Sequence, residues 1–474
     1  MEMIKAGMCI ARFNFSHGTH ADHKKMFQLV REASKQSSEV HQLALALDTK
    51  GPEIRTGLNK GGENITLVTG TTIIVTTDDA YKETCTAETL YIDYKSLVQS
   101  VDAKQTILIA DGSVVLEVKE LRTVDVICDV ICGSTFGSRK NVCLPKVRVN
   151  LPAMSEKDIK DIELGMEEKL DIIFASFVRS ADNVRELRKL LNTTEHGKKM
   201  KIVSKIENFE GVENIEEIVQ LSDGIMVARG DLGMDLDAEK VIIAQKKIMA
   251  ECNVQGKPVI CATQMLESMI EKYRPTRAEI SDVMNSVLDG TDCVMLSGES
   301  ANGKYPVQAV KTLHDICHAA EKMYRTKRMF EAVKHSFNSM SAEQATAVAA
   351  VEISYNLHLD GIIVLTTTGK TAQIVSQFRP RCLIFALTRS AEVARSLHLY
   401  RNVCPLFYSA PPVKPWIDDI EARIKFSVEY AVKYGVFRPG SPVAIVTGWK
   451  SGPGFSNSLR VGYVKADFTI EGLR

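Results

Sequence analysis

Seven short apolar runs, each closing on polar or charged residues, constrain this chain more than any other feature. They are residues 8–15 (MCIARFNF), 43–48 (LALALD), 171–177 (DIIFASF), 201–206 (KIVSKI), 224–228 (GIMVA), 258–263 (PVICAT) and 292–297 (DCVMLS). Runs this short and this apolar read as strands buried on both faces, and helical patterns between them make the sheet parallel. A (β/α)8 barrel presents its site at the carboxyl ends of its strands, which is where these runs carry their polar residues. Seven is one short of eight, and the rhythm leaves the remaining position ahead of the helical MEMIKAG at the amino terminus. The expected fold is therefore α/β, a (β/α)8 TIM-type barrel lacking its first strand.

The rhythm breaks once. Between Pro52 and Pro152 the pattern becomes short alternating runs (ITLVTG, TIIVTT, TILIADG, VVLEVKEL, VDVICDVIC) separated by Gly, Asp and Asn, which reads as an inserted all-β domain. Proline at both junctions suits a hinged lid, although an inert β domain fits the pattern equally. After Thr326 helix and strand alternate again in an open α/β arrangement. The expected division is 1–52 and 153–325 for the barrel, 53–152 for the lid, and 326–474 for a C-terminal α/β regulatory domain.

Within the barrel, residues 201–233 concentrate the chemistry. Lys205 and Glu207 are two apart at a strand end and share a face. The next strand runs into Arg229-Gly230-Asp231-Leu232-Gly233, where glycine permits close backbone approach to an anion. By itself the pair reads equally as a structural ion pair and the glycine stretch as a turn. Arg12, Asn14 and Ser16 alternate with apolar neighbours and are expected on one strand face. His17, His20 and His23 lack the further ligand a zinc site needs and read as solvated residues at a helix start. In the last domain, Thr366-Thr367-Thr368-Gly369-Lys370-Thr371 follows a strand and suits a phosphate or, equally, a plain helix cap. Its GKT echoes a P-loop, but Val364 stands where that motif needs its first glycine, which removes nucleotide cleavage there.

The 59 basic and 59 acidic residues cancel, which argues against a nucleic-acid or anionic membrane surface. Lys5 and Arg12 interrupt the N-terminal apolar stretch, no run approaches a membrane span, and the 11 cysteines form no CxxC pair, so a cytoplasmic protein with reduced thiols is expected.

Read together and in this order, ARFNFSHG, ALDTKGPEIRTG, FASFVR, SKIEN, ARGDLG, ATQMLESM with PTRAE, and MLSGESANGKYP identify a resemblance to the pyruvate kinases over essentially the whole length. The resemblance implies phosphoryl transfer from phosphoenolpyruvate to ADP, giving pyruvate and ATP in glycolysis. It implies Mg2+ at Glu207 and Asp231, with Lys205 beside the transferring phosphoryl group. The backbone of Ala228, Arg229, Gly230 and Asp231 would receive the substrate carboxylate, with Thr263 and Ser297 at the face where the enolate is protonated. Asn14, Ser16, Asp48 and Thr49 resemble a K+ site, and Glu53 is the residue that accompanies K+ dependence in the family. Arg12, Asn14, His17 and Arg55 would face the phosphates of substrate and nucleotide, with Asp111 and Lys140 reaching in from the lid; Ala110 stands where relatives often have a second aspartate.

In the C-terminal domain, Thr366 to Thr371, Trp416, Arg423 and the loop 448–455, including Gly454, resemble the site of a sugar bisphosphate activator. Thr367 matches neither the lysine nor the glutamate of differently regulated members, which leaves the activator's identity open. A homotetramer is implied. Relatives also carry a strand resembling KIICTIGPAS ahead of the first helix, so the alternative expectation is a catalytically impaired, N-terminally truncated isoform that keeps effector binding or subunit assembly. A Mg2+-dependent lyase on a related barrel is argued against by the lid and the last domain.

Overall fold

Seven parallel strands lie side by side in strict chain order: β1 (Ile10–Asn14), β2 (Ala44–Asp48), β3 (Ile172–Ala175), β4 (Lys201–Ile206), β5 (Gly224–Ala228), β6 (Val259–Ala262) and β7 (Cys293–Met295). The computed structural model describes residues 1–37, 42–324, 326–450, 452 and 454–471. Strands β2, β3, β5 and β6 are buried along their whole length, as their unbroken Val, Ile, Leu and Ala content requires once helices cover one face and the barrel interior the other. β1 and β7 are the two edges of the sheet and do not pair with each other. Their burial is correspondingly lower: β1 alternates between buried and half-buried positions, and all of β7 is half-buried. The sheet is thus a curled seven-stranded barrel wall with one open seam.

The helices that alternate with the strands are set by local signals legible in the sequence. Ser155 caps Glu156–Glu167 through a capping box with Asp158, and Thr276 caps Arg277–Asp289 through one with Glu279. The all-β insertion forms a seven-stranded sheet from Ile54 to Cys143 around its own apolar core. It touches the barrel through Lys146, whose N–H donates to Asp235 at 2.8 Å and whose ammonium pairs with Asp237 at 3.0 Å. The C-terminal domain is a six-stranded sheet, four parallel strands extended by an antiparallel pair. Leu399 and Tyr400 from this domain close the bottom of the barrel interior, packing with Ile172, Met226 and Ile260. Beside them Arg379 pairs with Asp292, both 3% exposed, and Arg395 pairs with Asp171 at 2.9 Å.

Two local expectations change. β1 ends at Asn14, so Ser16 sits in the following turn, where its N–H donates to Asn14 Oδ1 at 3.1 Å. His23 is not solvated: it is buried, stacks on Phe15 with centroids 4.0 Å apart, and bonds the His17 carbonyl at 2.9 Å. His20 pairs with Asp161 at 2.7 Å. A helix over Thr326–His335 was not anticipated, because its apolar positions are sparse.

Candidate active site

The carboxyl ends of β1 to β5 bring five charged side chains together, with Asp48, Lys205 and Glu207 buried and Arg12 and Asp231 half-buried. In register Asn14 of β1 lies opposite Asp48 of β2 and Asp48 opposite Phe174 of β3, and that row continues to Val203 and Gly224, short of the ends of β4 and β5, the progressive offset that tilted barrel strands require. Asp48, 1% exposed, accepts from Arg12 Nε at 2.7 Å and pairs with Lys205 Nζ at 3.1 Å. Lys205 Nζ also donates to Ser176 Oγ at 2.8 Å and lies 2.9 Å from Glu207 Oε1. The Ser176 hydroxyl in turn donates to the Thr49 carbonyl at 2.7 Å, which fixes the acceptor that faces the ammonium. Gly51, at φ +75°, permits this: a Cβ there would sit 2.8 Å from Ser176 Cβ.

Charge does not balance in this cluster. Arg12 and Lys205 face the three carboxylates of Asp48, Glu207 and Asp231, with Glu53 and Asp111 also acting on Asp231. Burial, helped by Asp231, pushes the Glu207 carboxyl up to about 7, against the pull of Lys205. Burial likewise raises Asp231. For Lys205 burial acts against the charge, but Asp48 and Glu207 outweigh it and its pKa is raised. Glu207 Oε2 accepts the Phe177 N–H at 2.6 Å, while the buried Oε1, though close to Lys205, accepts no hydrogen bond within normal angles. A buried carboxylate oxygen that faces only the Lys205 ammonium, beside a second carboxylate, is chemistry that suits a hard cation taking its remaining ligands from water and substrate.

Other residues singled out from the sequence surround this cluster at different distances. Asn14, Ser16, Asp48 and Thr49 lie together at the ends of β1 and β2, with the Thr49 hydroxyl 3.4 Å from the Phe174 carbonyl. His17 is exposed in the turn after them. Arg55 is held at the start of the β insertion by Glu53 at 2.8 Å and the Arg139 carbonyl at 2.7 Å. The exposed Lys140 is one residue before the register partner of Arg55. Asp111 is bonded to Asn141 Nδ2 at 2.8 Å, and the adjoining Gly112 approaches Met234, three residues beyond Asp231, so this turn of the β insertion packs against the segment that carries Asp231.

Thr263 follows β6 at φ 73°, and its methyl lies 2.8 Å from where a Cβ on Gly230 would stand. Ser297 N–H donates to Glu299 at 2.8 Å, and buried Glu299 also accepts the Leu266 N–H at 3.0 Å. Ser176 and Glu299 were not singled out from the sequence. Both lie inside the quoted motifs FASFVR and MLSGESANGKYP, but nothing local distinguishes a serine that seats a lysine 29 residues away.

The last domain holds a cavity of roughly 460 Å3 lined by Thr366, Thr367, Thr368, Lys370, Thr371, Trp416, Arg423 and Gly454. Gly369, at φ 85°, starts the helix Lys370–Gln377 and donates its N–H to Thr366 Oγ1 at 2.9 Å. Arg389, Lys414 and Lys450 add positive charge, so five basic side chains meet only Glu343 and Asp419. Asp419 is itself paired with Arg389 at 2.6 Å and Arg423 at 3.1 Å. Of the loop 448–455, positions 451 and 453 lie outside the described residues.

Comparison with known proteins agrees along nearly the whole chain. Residues 1–310 match the family model described as pyruvate kinase, barrel domain, and residues 344–462 the one described as pyruvate kinase, alpha/beta domain. The chain is 48% identical to the Homo sapiens protein pyruvate kinase PKLR, over 97% of this chain and 81% of that protein. It is 44% identical to pyruvate kinase of Candida albicans (97% and 91% covered) and 43% identical to pyruvate kinase 1 of Saccharomyces cerevisiae (97% and 92%).

Proposed function

This chain belongs to the pyruvate kinase family, and from that premise we propose how its strand-end cluster transfers the phosphoryl group of phosphoenolpyruvate to ADP, releasing pyruvate and ATP. The observation that carries the reading is the surplus of buried carboxylate around Lys205: two cations against Asp48, Glu207 and Asp231. Mg2+ held by Glu207 and Asp231 would remove that surplus and supply Lewis-acid polarisation of the phosphoryl oxygens.

Lys205 is the group that acts on the moving charge. Its ammonium, seated by Asp48 and Ser176, neutralises the phosphoryl group in transit and the enolate left behind. Arg12, fixed by Asp48, faces the phosphate, with Arg55, His17, Asn14, Asp111 and Lys140 around the nucleotide. The backbone of Ala228, Arg229, Gly230 and Asp231 receives the substrate carboxylate, and Gly230 leaves room for it against Thr263. Thr263 and Ser297 border the face where the enolate gains its proton, and that ketonisation makes the transfer downhill. K+ at Asn14, Ser16, Asp48 and Thr49 is supported by oxygen donors on the register-matched ends Asn14 and Asp48 and on the residues that follow them, and Glu53 predicts that turnover requires it.

The cavity of the last domain fits a sugar bisphosphate: the threonine cradle 366–371 takes one phosphate, and Trp416 with Arg423 the other. Family membership further supports a cytoplasmic homotetramer with domains divided near residues 52, 152 and 325; no helix among the described residues is long and apolar enough to cross a membrane. A catalytically impaired isoform that keeps effector binding or assembly is the second reading, favoured by the unpaired edges of β1 and β7. One experiment separates them: pyruvate formation from phosphoenolpyruvate and ADP, with K+ or with Na+ in its place, alongside a sugar bisphosphate titration. K+-dependent turnover supports the first reading. Saturable bisphosphate binding without turnover overturns it in favour of the second.

A further inference from the structure

Arg229 heads the segment proposed to cradle the substrate carboxylate, yet its side chain is occupied by protein. Nε lies 3.3 Å from the Ala262 carbonyl and 3.2 Å from that of Thr263, and Nη2 donates to the Thr263 carbonyl at 2.8 Å. Nη1 and Nη2 form a two-pronged pair with Asp282, both bonds 2.7 Å. The arginine side chain is 8% exposed, so these bonds act in a largely water-free setting. The turn it grips is strained. Thr263 and Gln264 have φ of 73° and 57°, a region that a β-branched residue enters only when its surroundings impose it. The turn also carries the Thr263 methyl against Gly230, the residue beside Arg229 itself.

Three elements therefore meet in one guanidinium: the head of the helix Arg229–Asp235, the end of β6, and Asp282 of the helix Arg277–Asp289. We propose that Arg229, gripped by Asp282, is a positioning residue for the proton-transfer half of the reaction: without touching substrate, it holds Thr263 in the left-handed turn that sets its side chain against Gly230. Lysine cannot replace it, because a single ammonium lacks the planar fork that reaches two carbonyls and a carboxylate at once. The inference rests on the reading of Thr263 as a group at the protonation face.

The test is a double-mutant cycle with two readouts: kcat and KM for phosphoenolpyruvate, and exchange of the pyruvate methyl protons into D2O followed by NMR. Arg229→Lys and Asp282→Asn are each expected to lower kcat and methyl exchange by about ten- to a hundredfold, the scale of a misplaced group at a reacting centre, with KM changed less than about threefold. Asp282→Glu, which keeps the two-pronged pair, restores most of the loss. Because the clamp acts through Thr263, Asp282→Asn added to Thr263→Ala costs little beyond Thr263→Ala alone. Additive losses, or unchanged methyl exchange in both clamp variants, overturn the proposal while leaving the role of Thr263 intact. Wild-type exchange and turnover in Thr263→Ala overturn both. Asp282 is partly exposed, so its asparagine variant carries the cycle even where Arg229→Lys does not fold.

Discussion

Replacing Lys205 with methionine removes the cation at the centre of the cluster while keeping an unbranched side chain and most of its volume. Its Nζ lies 3.1 Å from Asp48, 2.9 Å from Glu207 and 2.8 Å from Ser176. A phosphoryl oxygen drawn to within about 4 Å of the same ammonium interacts with it, as two unit charges at an effective dielectric of 20, by about 4 kcal/mol. Lost selectively from the transition state, that is a fall in turnover of roughly a thousandfold. Folding is expected to survive. Breaking a buried pair costs about 3–5 kcal/mol when it strands a charge, but here Asp48 keeps Arg12, and Glu207, already pushed up to about 7, takes a proton instead. The assay is pyruvate formation at saturating phosphoenolpyruvate and ADP, with Mg2+ affinity measured by calorimetry above pH 8, where loss of the lysine should change it little beside the loss of turnover. Turnover within tenfold of the parent in a folded variant would refute the reasoning and return Lys205 to the status of a structural ion pair.

The raised carboxyl of Glu207 sets a pH dependence in the Mg2+-free protein. The folded chain binds this proton more tightly than the unfolded one, so the group's contribution to stability is fully present below about pH 4.5 and is lost as pH rises to about 7; Mg2+ affinity should climb over the same interval. Urea midpoints and Mg2+ titrations at pH 5, 6 and 8 check both trends, and Glu207→Gln flattens them. At the joint below the barrel, Arg379→Met strands Asp292 and is expected to cost about 3–5 kcal/mol by urea unfolding, with Asp292→Asn in the same chain recovering much of it. Gly51→Ala forces a Cβ toward Ser176 and Phe177 at an unfavourable φ, and should cost about 2–4 kcal/mol by the same measurement while also lowering turnover, since Ser176 seats Lys205.

Most of the fold is written in local pattern. The runs KIVSKI, GIMVA, LIFALT and PVAIVT are strands with the bounds their apolar residues mark, and the capping boxes at Ser155 and Thr276 start helices where hydroxyl and acidic residues fall three apart. Strand ends rich in charge were equally legible, although Lys205 and Glu207 by themselves read as well as a structural ion pair. Local pattern fails where a side chain's partner is remote. The polar neighbours of His23 read as a solvated setting, yet Phe15 from the turn after β1 covers it. The fork of Arg229 could not be assigned from the glycine-rich stretch it heads, because its acceptors come from Thr263 and Asp282, 34 and 53 residues on.

The sequence alone determined which residues carry charge, where the strands lie to within a few residues, and, through its motifs, which chemistry the chain resembles. Only the tertiary structure decided which way those charges face one another. Strand register lines up Asn14 with Asp48, and burial then makes the resulting surplus of carboxylate costly. Both depend on contacts between residues far apart in the chain. The clustering of these carboxylates around Lys205 is therefore a property of the folded barrel end, not of any one segment within it.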